Sequence, residues 1–139
     1  MQHRNKIKLE KQGGVTIFNI RGDITSFSEP FLDKAYQKAN DQDARKILLK
    51  IDKDAYINSD GIALLIQLMA QIKRNNQSVV IAGVSEHFKK IFNMVGITKF
   101  AEIHDSVESA IQMMAWKKVD PISILKIICK LFPKIFFLH

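Results

Sequence analysis

From Lys6 to Lys11 charged and apolar residues alternate, with Ile7 and Leu9 on one side, which is the period of a strand buried on one face. Gly13-Gly14 supplies the positive φ angles of a tight hairpin. Its second strand, Val15 to Ile20, is apolar nearly throughout, as expected where both faces of a sheet are covered. After Arg21-Gly22-Asp23, Ser26 or Ser28 is placed to cap a helix with Pro30 in its first turn, and Phe31, Ala35 and Ala39 line one face.

A third strand is predicted at Lys46 to Ile51. From Ser59 the period turns helical, with Ile62, Leu65, Ile66, Met69 and Ile72 as one buried face. Gln77 to Ala82 is a short apolar run that fits a buried parallel strand. Ser85 caps a helix carrying Phe88, Ile91, Phe92 and Val95, which Gly96 stops. Phe100 to Ile103 adds a fifth strand, and Asp105 with Glu108 has capping-box spacing ahead of a last amphipathic face of Val107, Ala110, Ile111 and Met114. A hairpin followed by alternating helix and strand predicts an α/β domain: a mixed, mostly parallel sheet of about five strands with four helices packed on it.

The length of 139 residues fits one such domain with its own core. The single cysteine, Cys129, offers no internal disulfide, and no charged-then-apolar leader opens the chain at Met1, so a cytoplasmic protein is the expectation. The formal charge is +7, but residues 117–139 hold five lysines against Asp120, while basic and acidic side chains interleave over residues 1–116. No basic stripe with stacking aromatics is visible there, which argues against direct nucleic-acid binding.

Candidate chemistry is sparse. His3, His87, His104 and His139 show no ligand-like spacing, so no metal or cofactor is predicted. Ser59 has Asp60 beside it but no local base and no flanking glycines of a nucleophile elbow, so no catalytic residue is assigned and no enzyme is expected. What remains is Asn58-Ser59-Asp60-Gly61, a loop between a strand and a helix. All three polar residues are preferred caps, and capping is the plain structural reading. The functional one is a serine at the carboxyl end of a parallel strand, beside a positive helix end that accommodates a phosphate. On the helix that follows, Leu64 lies about 200° from Ile62, so Leu64 and Leu68 are expected to be partly exposed next to Ser59.

The blocks "GDIT" (22–25), "YINSDGIALLI" (56–66), "VVIAGVSEHFKKIFNMVGITKF" (79–100) and "IHDSVESAI" (103–111) resemble, in one register over about residues 5–115, the STAS domain of bacterial anti-sigma factor antagonists. The resemblance implies a STAS-like fold over residues 1–116. It also implies a binding module whose partner is an anti-sigma factor with serine kinase activity: the unphosphorylated form binds, and phosphorylation of the serine at the start of the second helix releases it. Ser59 falls on that serine. The family pattern is Asp-Ser-Ser-Gly or Asp-Ser-Ala-Gly, so Ser59 and Gly61 carry the match, while Asn58, Asp60 and Thr25 depart from it. The implied partner surface comprises Thr25, Asn58, Ser59, Asp60, Gly61, Leu64 and Leu68. The departures open a second reading, a constitutive scaffold or membrane-associated regulatory or transport subunit.

Beyond the resemblance lies a tail, residues 117–139, predicted helical. Twelve of its eighteen residues from Pro121 to Leu138 are apolar, with Lys126, Lys130 and Lys134 every four. Lysines near the centre of a span cost more than the apolar residues return. A tail lying at the inner face of the membrane, or self-association through residues 119–139, is the expectation.

Overall fold

The structure, a computed structural model, describes residues 5–117 and 128–131. Strands β1 (Lys6–Gln12) and β2 (Val15–Arg21) form the antiparallel hairpin, turning through Gly13 and Gly14, whose φ angles of 59° and 78° suit glycine. Strands β3 (Lys46–Ile51), β4 (Ser78–Ala82) and β5 (Glu102–His104) then add in parallel, giving the order β1-β2-β3-β4-β5. Helices α1 (Glu29–Asp41), α2 (Ser59–Arg74) and α3 (Glu86–Val95) connect successive strands, and α4 (Val107–Lys117) follows β5.

Two cores result, one on each face of the sheet. Phe18, Ile20, Ile47, Leu49, Ile51 and Ile81 meet α1–α3 on one face. Val15, Ile17, Leu48, Val80 and Ala82 meet Ala110 and Met114 of α4 on the other. The central strands thus bury alternate residues on both sides, which is why their sequences are continuously apolar.

The element boundaries depart from expectation where a side chain found a different partner. Ser28, one of the two expected caps, stands at the N-cap position of α1, but its side chain makes no capping hydrogen bond there. Thr25 Oγ1 accepts from the Phe27 amide at 3.2 Å and Ser28 Oγ from the Thr25 amide at 3.0 Å, making a reciprocal box around a 3₁₀ turn, Ser26–Ser28, that leads into α1. On α1 Leu32, Ala35, Tyr36 and Ala39 are buried and Phe31 only half so. On α2 the buried stripe is Gly61, Leu65, Leu68, Met69 and Ile72, with Ile62 and Ile66 half-buried. Ser85 and Gly96 bound α3 as predicted, Gly96 at φ 83°, but Val95 is exposed. At α4, Ser106 Oγ accepts from the Ser109 amide at 3.1 Å, while Asp105 is engaged by Lys89, so Asp105 is no cap.

Gln77, expected to open β4, lies just before it. It is buried among polar partners: Tyr36 Oη donates to its Oε1 at 2.7 Å, and its Nε2 donates to Asn40 Oδ1 and the Ala44 carbonyl, each at 2.7 Å. The tail expected at 117–139 lies outside the described residues apart from Lys117 and residues 128–131.

Candidate functional site

The segment 56–61 is held by another loop rather than by its own helix alone. The Ile24 amide donates to the Tyr56 carbonyl at 2.9 Å and the Asn58 amide donates to the Ile24 carbonyl at 3.2 Å, a one-residue parallel bridge between Ile24 and Ile57. Asp23 Oδ1 accepts from the Tyr56 amide at 2.9 Å. Both loops leave the carboxyl ends of neighbouring parallel strands, β2 and β3, so the topology sets them side by side.

Asn58 then starts α2. With extended backbone (φ −86°, ψ 179°), its Oδ1 accepts from the Gly61 amide at 2.8 Å, and its carbonyl accepts from the Ile62 amide at 2.9 Å. Gly61 is buried with no room for a side chain: a Cβ there would overlap the Ile24 carbonyl oxygen and lie 2.6 Å from its carbon. The sequence blocks around residues 24 and 61 are therefore one structural unit.

This cap leaves Ser59 and Asp60 as the first two helical residues, both exposed. Their amides have no intrahelical acceptor, and the Ser59 hydroxyl has no hydrogen-bond partner among the described residues. The site thus presents a free hydroxyl at a positive helix end, with the Asp60 carboxylate next to it. Thr25, partly exposed, stands in the neighbouring loop.

The two leucines expected beside Ser59 separate. Leu64 is half-buried, whereas Leu68 is only 4 % exposed because α1 packs over it. Both line a crevice of ≈ 60 Å³ between α1 and α2, with Leu32 opposite. Beside the site, two exposed aromatics that sequence reasoning missed are Phe27, 79 % exposed on the 3₁₀ turn after Thr25, and Tyr56, 61 % exposed three residues before Ser59. Tyr56 stands edge-on to Phe88 of α3 at 6.1 Å between ring centres. An isolated aromatic inside a Ser-Phe-Ser-Glu-Pro turn, off any helical period, was the available signal for Phe27.

No cluster of three or more metal-ligating side chains exists among the described residues, and no described helix is long and apolar enough to cross a membrane.

The STAS domain family matches residues 6–110. The anti-sigma-B factor antagonist of Staphylococcus aureus is 19% identical over 89 residues, covering 64% of this chain and 82% of that protein. Among solved structures, TM1081 of Thermotoga maritima superposes with a TM-score of 0.68 at 13% identity, covering 77% of this chain and 92% of the other. The Bacillus cell fate determinant SpoIIAA in its phosphorylated form gives 0.55 at 15% identity, covering 78% and 99%.

Proposed function

The chain belongs to the STAS domain family, and from that premise we propose that it is an anti-sigma factor antagonist-like binding module that docks on a partner anti-sigma factor with serine kinase activity and is released when that kinase phosphorylates Ser59. The observation carrying this reading is the exposed Ser59 hydroxyl at the first position of α2, unpartnered among the described residues. A relative named as an anti-sigma-B factor antagonist and a fold shared with a protein solved in a phosphorylated form support it.

The mechanism asks no catalysis of this chain. The partner surface comprises Thr25, Asn58, Ser59 and Asp60 of the loops with the half-buried Leu64, and Phe27 and Tyr56 as the exposed aromatic anchors; Gly61 and Leu68, expected in it, are buried and support it from beneath. A phosphate on Ser59 brings about −1.5 to −2 charges. Its own helix end, with two free amides, tolerates that charge; a partner that must strip its water on docking does not. Domain 1–116 suffices for the switch, and the basic, apolar residues 117–139 attach the module at a membrane surface or to a second copy.

One observation favours a second reading. Asp60 sets a permanent carboxylate beside Ser59 in the first turn of α2, which repels an incoming phosphate and imitates part of its charge. A constitutive scaffold, regulated by no kinase, has that property. Incubation with the cognate kinase and ATP, followed by mass spectrometry of the peptide spanning Ser59, separates the two. The switch predicts stoichiometric phosphate on Ser59, partner binding kept by Ser59→Ala and lost by Ser59→Glu. No phosphate on Ser59, with equal partner affinity for both variants, gives the scaffold.

A further inference from the structure

The larger core roofs one face of the sheet; among the described residues the other has only α4. That helix crosses Ile17, Leu48, Val80 and Ala82 and reaches the hairpin, where Ile111 Cγ2 stands 3.5 Å from the position a Cβ on Gly13 would take. Strand alternation identifies what this diagonal leaves bare. Because Ile7 and Leu9 pack toward α1–α3, Lys6, Lys8 and Glu10 point the other way. Because Ile17 and Leu48 lie under α4, Asn19, Arg21 and Lys50 share their face. The register sets Lys6 opposite Arg21, and Lys8, Asn19 and Lys50 in one row. Between them is a recess of ≈ 300 Å³ lined by Lys6, Lys8, Glu10, Asn19 and Arg21.

Four cations here meet one carboxylate, and no ion pair or side-chain hydrogen bond engages any of the five among the described residues. Asn19 Oδ1 is buried without a partner, which leaves the amide nitrogen as the donor end facing the recess. Like charges facing each other across paired strands repel and destabilise the free sheet, and a layer of anions would relieve that repulsion. Among the described residues the corner carries no aromatic side chain on which a base could stack, which disfavours nucleic acid. Helix α4 lies on this same face, and the chain continues from it into residues 118–139, where four lysines and one aspartate stand among isoleucine, leucine and phenylalanine.

We infer that this corner, which no described helix covers, Lys6, Lys8, Asn19, Arg21 and Lys50, is a docking surface for an anionic phospholipid bilayer. Lipid phosphates neutralise the cations, and Asn19 donates to one of them. Electrostatic attraction of this kind contributes about 1 kcal/mol for each lysine or arginine held near an anionic surface. Ser59 and α2 lie on the opposite face of the sheet, so a docked molecule keeps its candidate site toward water. This inference stands apart from the phosphorylation reading.

The test is co-sedimentation of the full chain with vesicles of phosphatidylcholine alone or mixed with phosphatidylglycerol. Binding is expected only to the anionic vesicles, weakening as salt shortens the screening length. The triple variant Lys6→Gln, Lys8→Gln, Arg21→Gln is expected to bind about 100-fold more weakly, and Lys8→Gln alone about 5-fold, with unchanged circular dichroism. Lys6→Arg with Lys8→Arg keeps binding. Equal binding by the triple variant, binding to neutral vesicles, or saturation by inorganic phosphate in place of vesicles would each overturn the inference. Should the triple variant fail to fold, the single Lys8→Gln decides by the same measurement.

Discussion

Gly61 lies directly against the backbone carbonyl of Ile24, closer than any side chain would permit. The start of α2 is thereby seated on the loop that follows β2. Gly61→Ala must push the two segments apart or break the bridge between Ile24 and Ile57. Overpacking against backbone has few ways to relax, so a loss of about 3 kcal/mol is expected, read as a lower urea midpoint. Amide exchange at Ile24 and Asn58 should accelerate with it. A loss below about 0.5 kcal/mol would show that the loops are not seated on one another.

Asn58 and Ser59 are adjacent but do different work. Asn58 Oδ1 satisfies the Gly61 amide, so Asn58→Ala should cost about 1 kcal/mol, and Asn58→Asp, which keeps the acceptor, should cost much less. The Ser59 hydroxyl is exposed and bonded to nothing described, so Ser59→Ala should leave stability within about 0.5 kcal/mol. Thermal melts of the three variants check this ordering. If Ser59→Ala melts as early as Asn58→Ala, the serine is a structural cap and its exposure carries no signalling role.

The order and type of elements were legible in the sequence because the apolar periods are long and the turns carry their usual residues. The alternation at Ile7 and Leu9, the continuous run at Lys46–Ile51 and the Ser85 to Gly96 bounds of α3 all reappear in the structure. What was illegible depended on side chains meeting across the chain. Thr25, rather than either nearby serine, begins the turn because the Ser28 hydroxyl reaches back to its amide. Leu68 is buried beside Leu32 of α1, a contact between helices that helical phase alone does not reveal. Within the candidate site, Ser59 stood out as a serine between a parallel strand and a helix and the resemblance implied its role, but the exposure of Phe27 and Tyr56 depends on how the loops pack.

A polar network inside the larger core was equally invisible. Tyr36 Oη donates to Gln77 Oε1 at 2.7 Å and accepts from Asn75 Nδ2 at 2.6 Å, tying α1 to the end of α2 and the entry of β4. Tyr36→Phe leaves the buried Gln77 oxygen without its donor, a loss of about 1 to 3 kcal/mol. Adding Gln77→Leu should then cost less than it does alone, because the two residues share one interaction. A double-mutant cycle in urea measures the coupling; strictly additive losses would mean that the bond contributes nothing in solution.

The ion pair between Lys89 and Asp105 predicts how pH acts on the join between α3 and the turn before α4. Lys89 Nζ donates to Asp105 Oδ1 at 2.7 Å. That hydrogen bond first, and the paired charge second, hold the Asp105 carboxyl below its usual range and the Lys89 ammonium above its own. A lowered carboxyl pKa stabilises the fold above the ordinary carboxylate range, and the contribution fades as pH falls through the lowered value. A raised lysine pKa contributes below the ordinary lysine range and is lost as pH rises through the raised value. The pair therefore contributes across neutral pH and withdraws at both ends. Asp105 is 80 % exposed, so water and salt screen the contribution and stability curves alone will scarcely record it. The sensitive measurement is NMR titration of each partner. Asp105→Asn should return Lys89 downward toward its ordinary range, and Lys89→Met should let Asp105 rise toward its own. Unmoved titrations in both variants would show that the two side chains do not meet in solution.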